Sequence, residues 1–231
     1  MHEVLKDKKF IFFDVGYTLD APASGHWMFT NKFLEFTKDK LDMFDNATIH
    51  SAMLKGFAYI EKNHKLFTIE EEISTLCVFY QIVSDELSLG LTIAQIYEIS
   101  KDRATNMNNY LLYPKVKETL KVLFKSFKLG IISDTWPSIV NQLTHLGIFQ
   151  FFTTFTFSYD VGVFKPDEKM FIDALNKCGV AASETVFIDD QIENLEAAEK
   201  LGITPILIAA NPSSDVQTKY TKIHSIAELL D

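Results

Sequence analysis

The chain has 231 residues, of which 47% are hydrophobic and 13% aromatic, and its formal net charge is −9. This length and composition suit one large packed domain, or a core with a smaller inserted one, and exclude a disordered chain. The acidic balance argues against nucleic-acid binding, because phosphate backbones require clustered basic residues. Arg103 is the only arginine, so a phosphate clamp built from several arginines is excluded.

Composition also bears on location. Residues 1–6 lack the apolar stretch of a signal peptide, and no run is long and uncharged enough to span a bilayer. Cys77 and Cys178 have no CxxC partner and no histidine at ligand spacing, so both are interpreted as reduced thiols. We therefore expect a cytoplasmic protein that does not bind membranes. The polar stretch 211–218 is the segment expected to be most flexible.

The first predicted element is a strand. The unbroken apolar run Phe10–Phe13 is followed at once by Asp14 and, two residues later, by Gly16. Such a run is typical of a strand buried on both faces of a parallel sheet. Its last side chain is delivered to the carboxyl edge, where ligands of open α/β folds bind. Asp14 is therefore placed where a nucleophile or a metal ligand is needed.

A helical stretch follows, with no convincing strand. Four amphipathic helices are predicted, two near residues 27–40 and 47–64 and two beginning after Thr68 and Thr92. Thr68 and Thr92 each stand three residues before a Glu or Gln, which is the pattern of a capping box. The acidic run Glu70–Glu72 is interpreted as a solvated first helical turn.

In the remainder of the chain, strands alternate with helices. The later strands are predicted at residues 129–133, 153–157, 186–189 and 205–208. This alternation implies right-handed βαβ units and a parallel sheet. The predicted fold class is therefore α/β, with a Rossmann-like parallel sheet core formed by residues 1–20 and 112–231. An all-helical cap domain, residues 21–111, is inserted after the first strand.

Further polar side chains fall at the same predicted sheet edge. Ser133 and Asp134 end the second strand, Lys165 follows the third, and Asp189 and Asp190 end the fourth. A carboxylate can attack phosphorus and form an aspartyl-phosphate. The attack requires a cation and a hydroxyl donor at the phosphoryl oxygens. Paired acids suit Mg²⁺, which prefers a few carboxylates together with substrate and water.

Four motifs occur in order: Asp14-Val-Gly-Tyr-Thr18, Ser133, Lys165-Pro166 and Phe187-Ile-Asp-Asp190. Together they resemble the motifs of the haloacid dehalogenase-like hydrolase superfamily. The resemblance covers nearly the whole chain, and the helical insertion is similar to the cap that this superfamily places after its first strand. It implies a Mg²⁺-dependent phosphatase whose partner is a small phosphorylated metabolite.

The resemblance implies a role for each matching position. Asp14 resembles the nucleophile that is transiently phosphorylated. Ser133 resembles the hydroxyl that holds a phosphoryl oxygen, with the backbone N–H of Asp134 beside it. Lys165 resembles the lysine that steadies the nucleophile and the phosphoryl charge.

The same resemblance implies a Mg²⁺ site. Asp14 is expected to touch the ion, and Gly16 to lend it a backbone carbonyl. Asp190 aligns best as the acidic metal ligand, and Asp189 is expected to act beside it or through water.

Position 16 departs from the pattern of the phosphatases, which usually carry a second aspartate two residues after the nucleophile. That aspartate protonates the leaving oxygen and later activates water, a contribution commonly worth about 10²–10⁴ in rate. Gly16 has no side chain, so this task is unfilled, unneeded or performed by another group. Asp20 is one hypothesis, if the loop folds back.

Gly16 also keeps two other functions open. Haloacid dehalogenases lack the second aspartate too, because halide departs without a proton, but their gripping arginine comes early in the cap and Arg103 comes late. The third reading is a catalytically weak or inactive member that binds phosphate or a partner. Lys165, Asp189 and Asp190 favour the phosphatase. Neither the particular metabolite nor an oligomeric state is indicated by the sequence.

Overall fold

The computed structural model describes residues 1–211 and 216–231, and the chain divides into two compact units. The core unit comprises Met1–Ala21, Leu111–Thr135 and Leu143–Asp231. The helical unit comprises Pro22–Tyr110 and Trp136–Gln142. The predicted division assigns residues 136–142 to the core, whereas the structure groups this segment with the helices.

The described residues form eight strands: β1 (Phe10–Phe13), β2 (Asp20–Pro22), β3 (Tyr110–Leu112), β4 (Lys128–Ser133), β5 (Thr154–Phe157), β6 (Thr185–Asp189), β7 (Thr204–Ile208) and β8 (Thr221–Ile223). Six of them form one sheet in the order β5-β4-β1-β6-β7-β8, with every adjacent pair parallel. β2 and β3 pair separately. The predicted Rossmann-like α/β architecture is confirmed.

The described residues also form nine α-helices: α1 (Asn31–Leu41), α2 (Asn46–Lys62), α3 (Ile69–Glu86), α4 (Ile93–Thr105), α5 (Val116–Leu123), α6 (Ile139–His145), α7 (Ser158–Val161), α8 (Glu168–Cys178) and α9 (Ile192–Lys200). Short 3₁₀ turns lie at Glu3–Leu5, Met107–Asn109, Phe149–Phe151, Ala182–Glu184 and Ile226–Leu230. The first four helices belong to the helical unit, as the sequence pattern predicts for this stretch. Helices α5, α7, α8 and α9 belong to the core unit.

β1 lies in the interior of the sheet, and its four side chains, which are all apolar, are fully buried there. It lies between β4 and β6, with Phe13 opposite Ile131 on one side and Ile188 on the other. Burial of each large apolar side chain stabilises the fold by about 1.5–3 kcal/mol. Because the three strands are parallel and in this register, the residues that follow them emerge at one edge of the sheet.

The starts of α3 and α4 are fixed by the predicted capping boxes. The Thr68 hydroxyl accepts a hydrogen bond from the Glu71 N–H (3.1 Å), and the Glu71 carboxylate accepts one from the Thr68 N–H (3.2 Å). Thr92 and Gln95 repeat this arrangement. Each box satisfies backbone donors that a helix start leaves without intrahelical partners.

Two details of the helical stretch differ from expectation. α1 begins at Asn31, later than the pattern predicts, because the Thr30 hydroxyl caps it by accepting a hydrogen bond from the Phe33 N–H (3.3 Å). The acidic run at the start of α3 is not entirely solvated, since Glu72 is fully buried. A run of like charges gives no sign of a partner that lies far away in the sequence.

The sequence also misses three short strands, β2, β3 and β8. Each has three residues, which is too short for an apolar run or an alternation to stand out. The expected flexible stretch 211–218 falls partly on residues outside the described part of the chain, which excludes 212–215. Within the described residues, no helix has both the length and the apolar character needed to cross a membrane.

Candidate active site

The end of β1 places Asp14 at the carboxyl edge of the sheet. The Asp14 N–H donates to the Ile188 carbonyl (2.9 Å), so the β1–β6 pairing continues one residue past the strand. The loop then turns back, since Gly16 and Asp20 form an isolated bridge and the Tyr17 N–H donates to the Asp20 carbonyl (2.8 Å). The Asp14 side chain is 11% exposed, so it is mostly buried but keeps some contact with solvent.

Lys165 connects the ends of three strands. Its ammonium donates to Asp14 Oδ1 (2.7 Å) and to Asp189 Oδ2 (2.7 Å), while its backbone N–H donates to Asp134 Oδ1 (2.9 Å). Burial alone lowers the pKa of Lys165, but Asp14, Asp189 and Asp134 outweigh that effect and raise the pKa. The lysine therefore stays protonated beside Asp14.

Asp189 is fully buried, and both of its oxygens accept hydrogen bonds. Besides Lys165, its partners are the Asn194 side-chain amide (3.1 Å to each oxygen) and the Gln191 N–H (2.7 Å). This set of partners suits a carboxylate that holds the lysine rather than one that faces a ligand. Asn194 was not predicted as a site residue, although its place two residues into α9, just after the Asp189-Asp190 pair, was a usable signal.

Asp14 and Asp190, the two predicted acidic metal ligands apart from Asp189, both retain free acceptor capacity. Within the described chain, Asp14 Oδ2 receives no hydrogen bond, and the Asp190 carboxylate accepts one, from the Gln191 side chain (3.0 Å). Burial raises the pKa of Asp14, an effect that Lys165 opposes and Asp189 and Asp190 reinforce. Burial, reinforced by Asp189, also raises the pKa of Asp190 to about 6.

The second strand end supplies a hydroxyl. Ser133 is the last residue of β4 and is 3% exposed, and its hydroxyl makes no hydrogen bond with any described residue. The next residues are fixed in place, because the Thr135 N–H donates to Ser158 Oγ (2.8 Å) and Ser158 Oγ donates to the Thr135 carbonyl (3.2 Å). Ser133 thus has a donor available on an anchored loop.

The donor set fits a hard divalent cation. Four carboxylates, those of Asp14, Asp134, Asp189 and Asp190, lie around the single ammonium of Lys165. Among the described residues, no three His, Cys, Asp or Glu side chains form a ready-made metal cluster. Mg²⁺ does not need one, because it is commonly bound by one or two carboxylates plus waters and substrate phosphate.

The four motifs, the parallel sheet and the candidate site are typical of one class of hydrolase. A family model described as haloacid dehalogenase-like hydrolase matches residues 32–208. This match covers more than half of the chain, and the chain belongs to the haloacid dehalogenase-like hydrolase family.

Individual relatives resemble parts of the chain. It is 30% identical over 114 residues to the glyceraldehyde 3-phosphate phosphatase of Methanopyrus kandleri, covering 46% of this chain and 47% of that protein. It is 31% identical over 130 residues to the protein of the same name from Methanocaldococcus jannaschii, covering 52% and 55%. The chain thus spans about half the length of these curated relatives.

Solved structures extend the likeness in fold to nearly the full chain. A 2-haloacid dehalogenase from Pseudomonas syringae pv. Tomato DC3000 superposes with a TM-score of 0.64 and 19% identity, covering 96% of each chain. At this identity the likeness establishes the fold alone.

Proposed function

We propose that the protein is a Mg²⁺-dependent phosphatase that forms an aspartyl-phosphate on Asp14. The observation that carries this proposal is the state of the Asp14 carboxylate. One oxygen is held by the Lys165 ammonium at 2.7 Å, and the other receives no hydrogen bond from the described residues. A nucleophile needs one oxygen free to attack and the rest of the group held in a fixed orientation.

The residues of the core unit divide the chemistry among them. Asp14 Oδ2 attacks phosphorus, so that an oxygen–phosphorus bond forms and the bond to the leaving oxygen breaks. Lys165 and the Ser133 hydroxyl stabilise the negative charge on the phosphoryl oxygens. Water then attacks phosphorus, which releases inorganic phosphate and restores Asp14.

Asp14, Asp190 and the Gly16 carbonyl would hold Mg²⁺, while Asp189 acts by holding Lys165. When bound, the ion supplies positive charge to the phosphoryl oxygens and to the Asp14 carboxylate. The excess of carboxylates over ammonium groups in this cluster supports that assignment.

Asp20 is a poor candidate for the missing general acid or base. The loop folds back, as the hypothesis requires, but Asp20 is fully buried and has no exposed surface with which to touch a substrate. A proton must reach the leaving oxygen by another route, through water or a group of the substrate itself. A substrate with a good leaving group is therefore expected to react fastest.

The names of the sequence relatives support a small phosphorylated metabolite as substrate. Dehalogenation is the second candidate, because Gly16 lacks the side chain that protonates a leaving alkoxide. The Lys165 ammonium contacts Asp14 and Asp189, an arrangement that is also compatible with a dehalogenase. The excess of carboxylates over ammonium groups around Asp14 favours a reaction that uses a divalent cation.

Hydrolysis of an aryl phosphate with and without Mg²⁺ tests the proposal. We expect metal-dependent release of phosphate that Asp14→Asn lowers by at least about a thousandfold. Asp160→Asn, at an exposed position of the core unit, is the matched control and should retain activity. Halide release from 2-chloropropionate without metal, with no phosphate release, would replace the phosphatase by the dehalogenase. Inactivity towards both substrates would support the third reading, a binding protein.

A further inference from the structure

The loop that follows Asp14 contains a side chain that its backbone conformation disfavours. Tyr17 has a φ of +56°, which lies in the left-handed region. A bulky side chain is an outlier in that region, because its Cβ comes too close to the following carbonyl oxygen. Glycine has no Cβ and adopts the region without this penalty. Tyr17 therefore has a conformational cost that a glycine at the same position would avoid.

Backbone hydrogen bonds set the conformation of this loop. The Leu19 N–H donates to the Val15 carbonyl (2.8 Å), and the Tyr17 N–H donates to the Asp20 carbonyl (2.8 Å). These bonds close a tight turn, and a left-handed residue inside a turn allows the chain to reverse its direction. We therefore expect the φ of position 17 to be set by the turn rather than by the tyrosine side chain.

Tyr17 lies within the core unit, close to residues of the candidate site. Tyr17 and Tyr113 are both half-buried, and the Tyr113 N–H donates to the Leu19 carbonyl of the same loop (3.0 Å). Burial raises the pKa of Tyr113, and the charges of Tyr17 and Asp190 reinforce the rise. Charges act in this way over short distances, so the two tyrosines and Asp190 form one group at the carboxyl edge of the sheet.

The proposed chemistry does not use Tyr17. Ser133 and Lys165 are assigned to the phosphoryl oxygens, and Asp190 is assigned to the metal. An aromatic side chain supplies a large contact area for the carbon atoms of a ligand, and tyrosine adds a polar end. Backbone strain that persists in folded proteins clusters at active and binding sites. A strained tyrosine three residues after the nucleophile fits that pattern.

We propose that Tyr17 is a specificity-determining residue that contacts the organic part of the phosphate ester. This inference rests on the proposed function, because it takes an ester bound at Asp14 as the substrate. The Tyr17 ring packs against carbon atoms beyond the phosphoryl group. It therefore strengthens binding of an ester without strengthening binding of inorganic phosphate. The substrates that gain most from this contact are esters whose organic group presents an apolar face.

Three variants separate this role from a structural one. Tyr17→Gly removes the ring together with the conformational cost, and Tyr17→Phe keeps the ring. Asp7→Gly is the matched control, because Asp7 also has a positive φ (+62°) but is exposed and precedes β1, away from the carboxyl edge of the sheet.

Steady-state kinetics with phenyl phosphate measures the contact. We expect Tyr17→Gly to raise KM about tenfold, while the inhibition constant of inorganic phosphate stays within about twofold. Tyr17→Phe should keep KM within about threefold of the wild type, because the ring remains. Asp7→Gly should leave both constants unchanged. A KM that is unchanged in Tyr17→Gly, or an inhibition constant that rises as much as KM does, would overturn the proposal.

Thermal unfolding gives a second readout. Relief of the steric cost offsets the loss of ring packing, so Tyr17→Gly should melt within a few degrees of the wild type. A lower melting temperature with an unchanged KM would show that the ring only packs within the core unit, which would contradict a contact with the substrate.

Binding of phenylphosphonate separates this proposal from the proposed function, because its carbon–phosphorus bond resists hydrolysis. Calorimetric titration with Mg²⁺ present should show that Tyr17→Gly binds it about tenfold more weakly than the wild type does. If this difference is found but no ester is hydrolysed, the phosphatase fails and the Tyr17 proposal stands. If both chains bind it equally while phenyl phosphate is hydrolysed, the phosphatase stands and the Tyr17 proposal fails. A wild type that binds neither phenylphosphonate nor inorganic phosphate would refute both.

Discussion

Lys165 is the residue on which the candidate site converges. A single buried ammonium contacts Asp14 and Asp189, and its backbone binds Asp134. The sequence predicts Asp14 because a polar residue directly after a buried strand is a clear pattern, and it predicts Lys165 from the Lys165-Pro166 motif. It does not predict that Asp189 accepts hydrogen bonds from Lys165, Gln191 and Asn194, because the partners of a side chain depend on packing that no local pattern encodes.

Replacement of this lysine should remove charge stabilisation without removing the nucleophile. We expect Lys165→Met to lower phosphatase kcat/KM by about 10²-fold or more, in the range seen when a charge-stabilising donor is lost. Lys169→Met, at an exposed position of α8, is the control. Circular dichroism must show that both variants are folded, because Asp189 loses its cation. A folded Lys165→Met enzyme with wild-type kinetics would rule out this role.

Glu72 offers a pH test that is independent of activity. Burial raises its pKa to about 6 from the ordinary value of 4.5, although its hydrogen bonds from Ser138 and the charge of Arg103 oppose the rise. The folded protein thus binds this proton more tightly than the unfolded chain does. The resulting stabilisation is present below pH 4.5 and is lost as the pH rises to 6.

Glu72→Gln cannot titrate at this position, so its stability should lack that dependence. The free energy of unfolding of the wild type minus that of Glu72→Gln should fall by about 2 kcal/mol between about pH 4 and pH 7. Urea unfolding at a series of pH values measures this difference, with Glu70→Gln as the control for charge loss. A difference that stays constant, or grows with pH, would contradict the burial of Glu72.

The sequence predicts the helices and strands that have a strong local pattern. The apolar run of β1 and the two capping boxes are found where they were expected. The three-residue strands were missed because their pairing depends on neighbours rather than on composition. The grouping of residues 136–142 with the helices has a related reason, because their chain neighbours lie in the core while their contacts are with Glu72 and His64.

The capping box at the start of α3 gives an element-scale prediction. Thr68→Ala removes the hydroxyl that accepts the Glu71 N–H and should lower the free energy of unfolding by about 1 kcal/mol. Thr68→Ser keeps an equivalent oxygen and should lose much less. Thermal or urea unfolding of the two variants measures the difference. Equal stability of the Ala and Ser variants would show that the Thr68 hydroxyl contributes nothing to the stability of the protein.

At the scale of the whole molecule, the site depends on the parallel register of the sheet. Residues from the ends of β1, β4 and β6 meet because these three strands are adjacent and run in the same direction. Alternating strand and helix patterns predict such a sheet, and the order of the motifs along the chain predicts which residues reach its edge. The particular substrate is not encoded in those patterns, because it is chosen by surfaces outside the motifs.

Binding of Mg²⁺ to the native protein alone should stabilise it by mass action. At a free concentration about a hundred times Kd, the gain is about 2.7 kcal/mol, which raises Tm by several degrees. Asp190→Asn should abolish most of this rise, and Asp160→Asn should retain it. Differential scanning calorimetry with and without Mg²⁺ makes the comparison. An equal rise of Tm in both variants would show that Asp190 does not bind the metal.

The central claim is that Asp14 becomes phosphorylated, and chemical trapping tests it most directly. The protein is mixed with an aryl phosphate and Mg²⁺, quenched in acid and treated with borohydride, which reduces an aspartyl-phosphate to homoserine. Peptide mass spectrometry then identifies the residue at position 14. We predict homoserine at this position in the wild type and none when the phosphate ester is omitted. Active turnover with Asp14 unmodified, or with the reduction product at another carboxylate, would contradict the account.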